Sequence, residues 1–187
     1  PALDVNRYYF PGGRSGGRDG LLVRVNARAG ISWLGVFKFG GTSDQLLSGI
    51  WSHPDSSTVC VVARAKGYLV DARNPQICTD VIAFPVTSVI SVLDERLLLF
   101  VDLDEITAYG TAGLVWRTRK LSWDGLQVSG VDAGRLTGFA HDPTRPSPVP
   151  FSVALRTEKA GGGSTPYLTI RGRKSLPEVA TQEQESG

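Results

Sequence analysis

Three groups of side chains have the types and spacing to support chemistry: a run of carboxylates, the soft metal donors and the large aromatics. Asp102, Asp104 and Glu105 sit close together, and two acids converging in a β cleft could hydrolyse a glycosidic bond, one as acid and one as base or nucleophile. The same set lacks the glycine and closing glutamate of a calcium loop. Asp102 and Asp104, two residues apart, are expected on one strand face, where a solvated charged edge resists pairing with another chain. Cys60, Cys78, His53 and His141 are all the soft donors in the chain, and seventeen residues separate the cysteines instead of the close pair that zinc takes, so no metal is expected. Nucleophilic catalysis needs a Ser or Cys beside a base. The chain has no G-x-S-x-G elbow and its histidines fall in His-Pro and His-Asp-Pro turns, so no catalytic residue is assigned. The aromatics are the better lead. Trp33, Trp51, Trp123 and Tyr109 are the expected ligand-binding set, rings that could line a groove for a sugar or a peptide, with core packing as their other use.

Short strands must position these groups. Val101 and Leu103, then Leu114 and Trp116, recur at two-residue spacing around the Gly-rich turn at 110–113, the pattern of antiparallel strands. The same pattern recurs from LLVRVNA and ISWLGVFKF, through TVCVVARA, GYLVDAR, VIAFPV and SVISVL, to LSWDGLQVSGVDAGRLTGFA, and FSVALRT is expected to pair with PYLTIRG. About ten strands result, an all-β fold of antiparallel hairpins forming a sandwich or a partial propeller. The segment 42–51, TSDQLLSGIW, is the one internal helix expected, capped by Ser43 or Asp44. The hairpin at 110–113 is expected to be the structural centre, with Leu97–Val101 leading into a strand paired to 114–118, Trp116 buried and Trp123 near its end. Residues 1–20 read as a Gly/Arg-rich arm, 21–173 as a single all-β domain and 174–187 as a polar tail.

Composition limits the partners. With 41% hydrophobic and 20% charged residues in 187, the chain can bury a core of its own. A net charge of +2 argues against nucleic acid, which selects a concentrated basic face. No apolar run approaches the ~20 residues of a membrane-spanning helix. The first residues lack a signal-peptide pattern, Pro1 is consistent with a trimmed initiator Met, and two cysteines suit a reducing compartment, so a cytoplasmic location is expected.

Three resemblances add to this. GYLVDARNP at 67–75 and ITAYGTAGLVWRTRKLSWDG at 106–125 resemble inner strands of a quinoprotein-type or WD-type propeller blade, in which a Gly-x-apolar-x-Trp strand follows a turn. The segment beginning SGIWSHPDSSTVCVV is also similar to bacterial all-β proteins of no assigned role. Separately, VFKFGGTSD matches the KFGGTS segment of aspartate kinases, which implies phosphate contacts from Lys38, Gly40, Gly41, Thr42 and Ser43, although that family surrounds the motif with long helices and a parallel sheet. The reading that emerges is a non-enzymatic binding module with no cofactor and a protein, sugar or small-molecule partner. The alternative is an enzyme, a phosphotransferase through Lys38–Ser43 or a hydrolase through paired carboxylates. Far-ultraviolet circular dichroism should show a β spectrum; a strong helical double minimum would defeat the all-β assignment.

Overall fold

The structure is a computed structural model and describes residues 6–12, 19–26 and 32–164. Among these residues there are fifteen strands in four sheets and no helix. The first sheet holds β1 (Asn6–Phe10), β2 (Gly20–Asn26) and β3 (Ser32–Lys38) in the order β1-β3-β2. Each later sheet is a four-stranded antiparallel meander in chain order: β4 (Gly49–Ser52) to β7 (Cys78–Asp80), β8 (Ser88–Val92) to β11 (Gly113–Arg117), and β12 (Leu126–Asp132) to β15 (Ala160–Gly162). β1 beside β3 is the one parallel pair among the described strands. Residues 6–10, expected in a loose arm, form a strand because Phe10 is buried and stacks on Phe37 at 4.6 Å. Residues 13–18, the PYLTIRG segment and the polar tail lie outside the described residues.

The sheets pack face to face in series, like consecutive propeller blades. Phe10, Val23, Trp33 and Phe37 of the first sheet meet Val61, Ala63, Tyr68 and Val70 of the second, on β5 (Thr58–Ala63) and β6 (Lys66–Asp71). The alternate residues Cys60, Val62 and Leu69 face the third sheet, where Leu98 and Phe100 of β9 (Leu97–Val101) and Tyr109 of β10 (Ile106–Gly110) wait. Leu97, Leu99, Ile106 and Trp116 face the fourth sheet, against Leu136 of β13 (Arg135–Ala140) and Phe151 and Val153 of β14 (Val149–Ala154). A sheet buried on both faces needs apolar residues at every position, and all five residues of both β9 and β10 are buried. An end sheet needs them at alternate positions, and β13 alternates exposed and buried throughout.

An aromatic side chain with a polar tip crosses each joint to the neighbouring backbone. Trp33 Nε1 donates to the Ala72 carbonyl at 2.8 Å, Tyr109 Oη accepts from the Ile82 amide at 3.1 Å, and Trp116 Nε1 donates to the Leu155 carbonyl at 2.7 Å. Burial raises the Tyr109 phenol above its ordinary value.

Three local expectations change. The helix at 42–51 is absent: Ser43 Oγ accepts from the Gln45 amide at 3.3 Å to make a turn, and Leu47 and Ser48 are tied to the β5–β6 turn before β4 begins at Gly49. Those tertiary bonds override a weak local preference. The strand after Leu97–Val101 pairs with 114–118 as expected, but it is β10, beginning at Ile106: Val101 ends β9, which pairs with β8 and β10, and Leu103 lies in the turn between them. VIAFPV is an irregular crossing whose Val81, Ala83 and Val86 are buried while Ile82 and Phe84 are exposed.

Trp116→Ala should destabilise the protein by about 3–5 kcal/mol, since it removes a buried indole and orphans the Leu155 carbonyl; a denaturation midpoint equal to wild type would contradict this placement of the core. His53 gives a pH dependence. Its Nδ1 accepts from the Asp55 amide at 3.1 Å and its buried Nε2 has no partner among the described residues, and burial lowers its pKa despite Asp55 nearby. The folded state therefore binds fewer protons than the unfolded state, so its contribution to stability is intact above the unfolded-state value of about 6.5 and is lost as pH falls toward the lower folded value. His53→Phe should flatten that slope in urea melts at a series of pH values.

Candidate functional site

The residues expected to be chemical are mostly committed to structure. Asp102 and Asp104 lie in the β9–β10 turn, not on a strand face: Asp102 is buried, and its Oδ1 accepts from the amides of Asp104 at 3.0 Å and Glu105 at 2.6 Å. Turn amides need an acceptor there, which a carboxylate supplies. Burial raises the Asp102 carboxyl. Asp104 pairs with Lys120 at 2.5 Å, and Glu105 pairs with Arg117. Cys60 and Cys78 are free thiols that pack into the cores on opposite faces of the second sheet, and burial pushes them up to about 12 and about 11. No cluster of three or more metal-ligating side chains occurs among the described residues. His141 Nδ1 lies 2.5 Å from Asp124 Oδ1, but the nearby Ser122 hydroxyl is held by the carbonyls of Gly125 at 2.6 Å and His141 at 3.1 Å, away from the ring.

The aromatic set does not share a surface. Trp33 and Tyr109 are 1% and 3% exposed in different cores, Trp51 packs half-buried against the core that holds Tyr109, and Trp123 stands exposed before the fourth sheet.

The Gly-rich segment is where open surface, charge and exposed aromatics meet. Two clefts share Lys38, Phe39 and Gly40 as a common wall: one of about 690 Å³ that also involves Pro11, Asp19, Thr42 and Arg64, and one of about 340 Å³ that also involves Lys66, Asp80 and Phe84. β3 alternates inward Trp33 and Phe37 with outward residues, which leaves Lys38 exposed at its end. Tyr68 anchors the segment from beneath by donating to the Lys38 carbonyl at 2.7 Å, and burial, then Asp80, raises its phenol so that it stays a donor. Gly40 donates its amide to the Ala63 carbonyl at 3.0 Å, and a Cβ at Gly40 would lie 2.6 Å from the Arg64 carbonyl. The glycine therefore serves close backbone packing. It turns the chain from the mixed first sheet to the antiparallel second sheet, without the helix and all-parallel sheet that the aspartate-kinase resemblance implies.

Arg64 and Ala65 form the β5–β6 turn with φ of 43° and 69°, a left-handed conformation that costs most side chains free energy. Three backbone bonds hold it: the Arg64 amide to Ser48 Oγ at 2.9 Å, the Ala65 amide to the Leu47 carbonyl at 2.8 Å, and the Val86 amide to the Ala65 carbonyl at 2.8 Å. The guanidinium is aimed as well, stacking 4.1 Å from the Phe39 centroid and donating to the Thr42 carbonyl at 3.1 Å. Among the described residues neither Arg64 nor Lys38 meets a carboxylate at ion-pair distance, whereas Lys66 pairs with Asp80 at 2.9 Å. Lys38 through Ser43 stand out in the sequence only as a phosphate-contact segment, and no pattern singles out Arg64, Lys66 or Phe84, although the two-residue gap between the TVCVVA and KGYLVD strands marks the Arg-Ala turn.

No protein-family model matches the chain, and no curated protein matches it. Among solved structures it is similar to the N-terminal domain of Nup159, at 16% identity and a TM-score of 0.38, over 62% of this chain and 29% of that one. It is also similar to a eukaryotic initiation factor, at 14% identity and a TM-score of 0.41, over 71% and 38% of the two chains. The chain thus spans well under half of either. The all-β, propeller-like class rests on its own four sheets.

Gly40→Ala should cost about 1–3 kcal/mol, because the added methyl meets backbone and not a movable side-chain end. Calorimetric titration with magnesium and ATP should give no saturable heat; binding that Lys38→Ala abolishes would restore the phosphate-contact reading.

Proposed function

We propose that the chain is a non-enzymatic protein-interaction module and that it docks partners at the corner formed by Lys38–Ser43, the Arg64–Ala65 turn and Phe84. The observation that carries the reading is the pairing of two cations without counter-ions among the described residues with an aromatic ring that is 56% exposed, around two adjoining clefts on a backbone fixed by hydrogen bonds. Binding energy at protein interfaces concentrates in Arg and aromatic anchors, and a surface already rigid loses little entropy on docking. The engaged state of Asp102, Asp104, Glu105, Ser122 and the two thiols supports binding over turnover, since each group already serves the fold.

Panning a random peptide library on the immobilised protein tests this. Enriched peptides should lose about tenfold or more in affinity to Phe84→Ala, the loss expected of an interface anchor. An absence of enriched peptides, or peptides indifferent to Phe84→Ala and Lys38→Ala alike, would remove the corner from the reading.

A further inference from the structure

We propose, resting on that reading, that the occupant of the Lys38 corner is an extended acidic segment of a protein partner, its carboxylates on Lys38 and Arg64 and an apolar side chain against Phe84. The charge pattern points to it. Lys38 and Arg64 have no carboxylate partner among the described residues, and the stacking of Arg64 on Phe39 holds the guanidinium in place while only one side-chain bond, to the Thr42 carbonyl, uses its five N–H donors. A planar donor array of this kind suits a carboxylate, which it can meet with two parallel bonds. Beyond Lys38, the Lys66–Asp80 pair is already neutral and Phe84 lies open, so the track changes from cationic to apolar along its length. A strand-like peptide places successive side chains on opposite sides at about 3.3 Å per residue, so acidic and apolar groups can reach the two clefts in turn.

The same geometry disfavours a phosphate ligand. The Gly40 amide is occupied by Ala63, so the glycine segment offers no free cradle at that position. Asp19 stands on the wall of the larger cleft, where it repels a uniformly charged backbone of nucleic acid but leaves room for the uncharged residues of a peptide.

Fluorescence anisotropy on the full chain decides this with labelled dodecapeptides: one of Asp and Glu interleaved with Leu and Phe, its Asn/Gln counterpart, and an oligouridylate of the same length. The acidic peptide should bind, weaken as salt is raised, and lose about tenfold in affinity to Lys38→Glu, with a similar loss to Arg64→Glu and partial retention in Arg64→Lys. Lys38→Glu lies at an exposed strand end, so it keeps the test valid if Arg64→Glu disturbs its turn. Equal binding of the Asn/Gln peptide, tighter binding of oligouridylate, or indifference to Lys38→Glu would overturn the proposal. If neutral peptides enriched by panning bind in a Phe84-dependent way while the acidic one does not, this inference falls and the docking corner stands; if neither kind binds there, both fall.

Discussion

Tyr68 lies with its ring in the core between the first two sheets and donates a hydrogen bond from its hydroxyl to the Lys38 carbonyl 2.7 Å away. That bond joins the second sheet to the end of β3, and so to the segment whose position defines both clefts. Equivalent links recur along the stack, at Trp33 to Ala72, Tyr109 to Ile82 and Trp116 to Leu155. Hydrophobic burial between flat faces is non-directional and would tolerate sliding; a buried polar tip that needs one particular backbone partner does not. The aromatic residues thus set the registration of the sheets as well as filling the space between them.

The proposed docking corner is held by a comparable set of fixed bonds. A turn with two left-handed residues persists only where its surroundings over-determine it, and here the turn is gripped by the segment after Gly41 on one side and by the crossing at 81–86 on the other. Those same strands of contact present Arg64, Phe39 and Phe84. Surface chemistry and internal constraint therefore occupy the same few residues, and a substitution that loosens the turn also disperses the site.

Much of the architecture was legible in hydrophobic spacing. The unbroken apolar run at 97–101 marked a strand covered on both faces, and the resemblance of 67–75 and 106–125 to propeller strands agreed with the stacked sheets, whereas RLTGFA at 135–140 hid its alternation because Gly138 faces the core and Phe139 faces out. The blade-like order was less visible, because no repeat of constant period marks the joints. Side-chain roles were harder still. A tryptophan reads the same whether it faces a groove or a core, and Trp33 faces a core; an aspartate reads the same on an edge or beneath a turn, and Asp102 lies beneath a turn. The helix expected at 42–51 failed for a comparable reason, since the partners of Leu47 and Ser48 lie across the fold at Ala65 and Arg64. Local preference carries no information about distant partners.

β1 lies parallel to β3, with β2 on the opposite side of β3. During synthesis, then, β1 has no partner within this sheet until β3 is made: β2 never becomes its neighbour, and Phe10 meets Phe37 only after β3 has left the exit tunnel. The later sheets have no such delay, because each strand folds back on the one just made. β1 thus joins its sheet only once β3 has been made, and the interval before β3 appears is when an unpaired Phe10 is open to chaperones or to mispairing with another nascent chain.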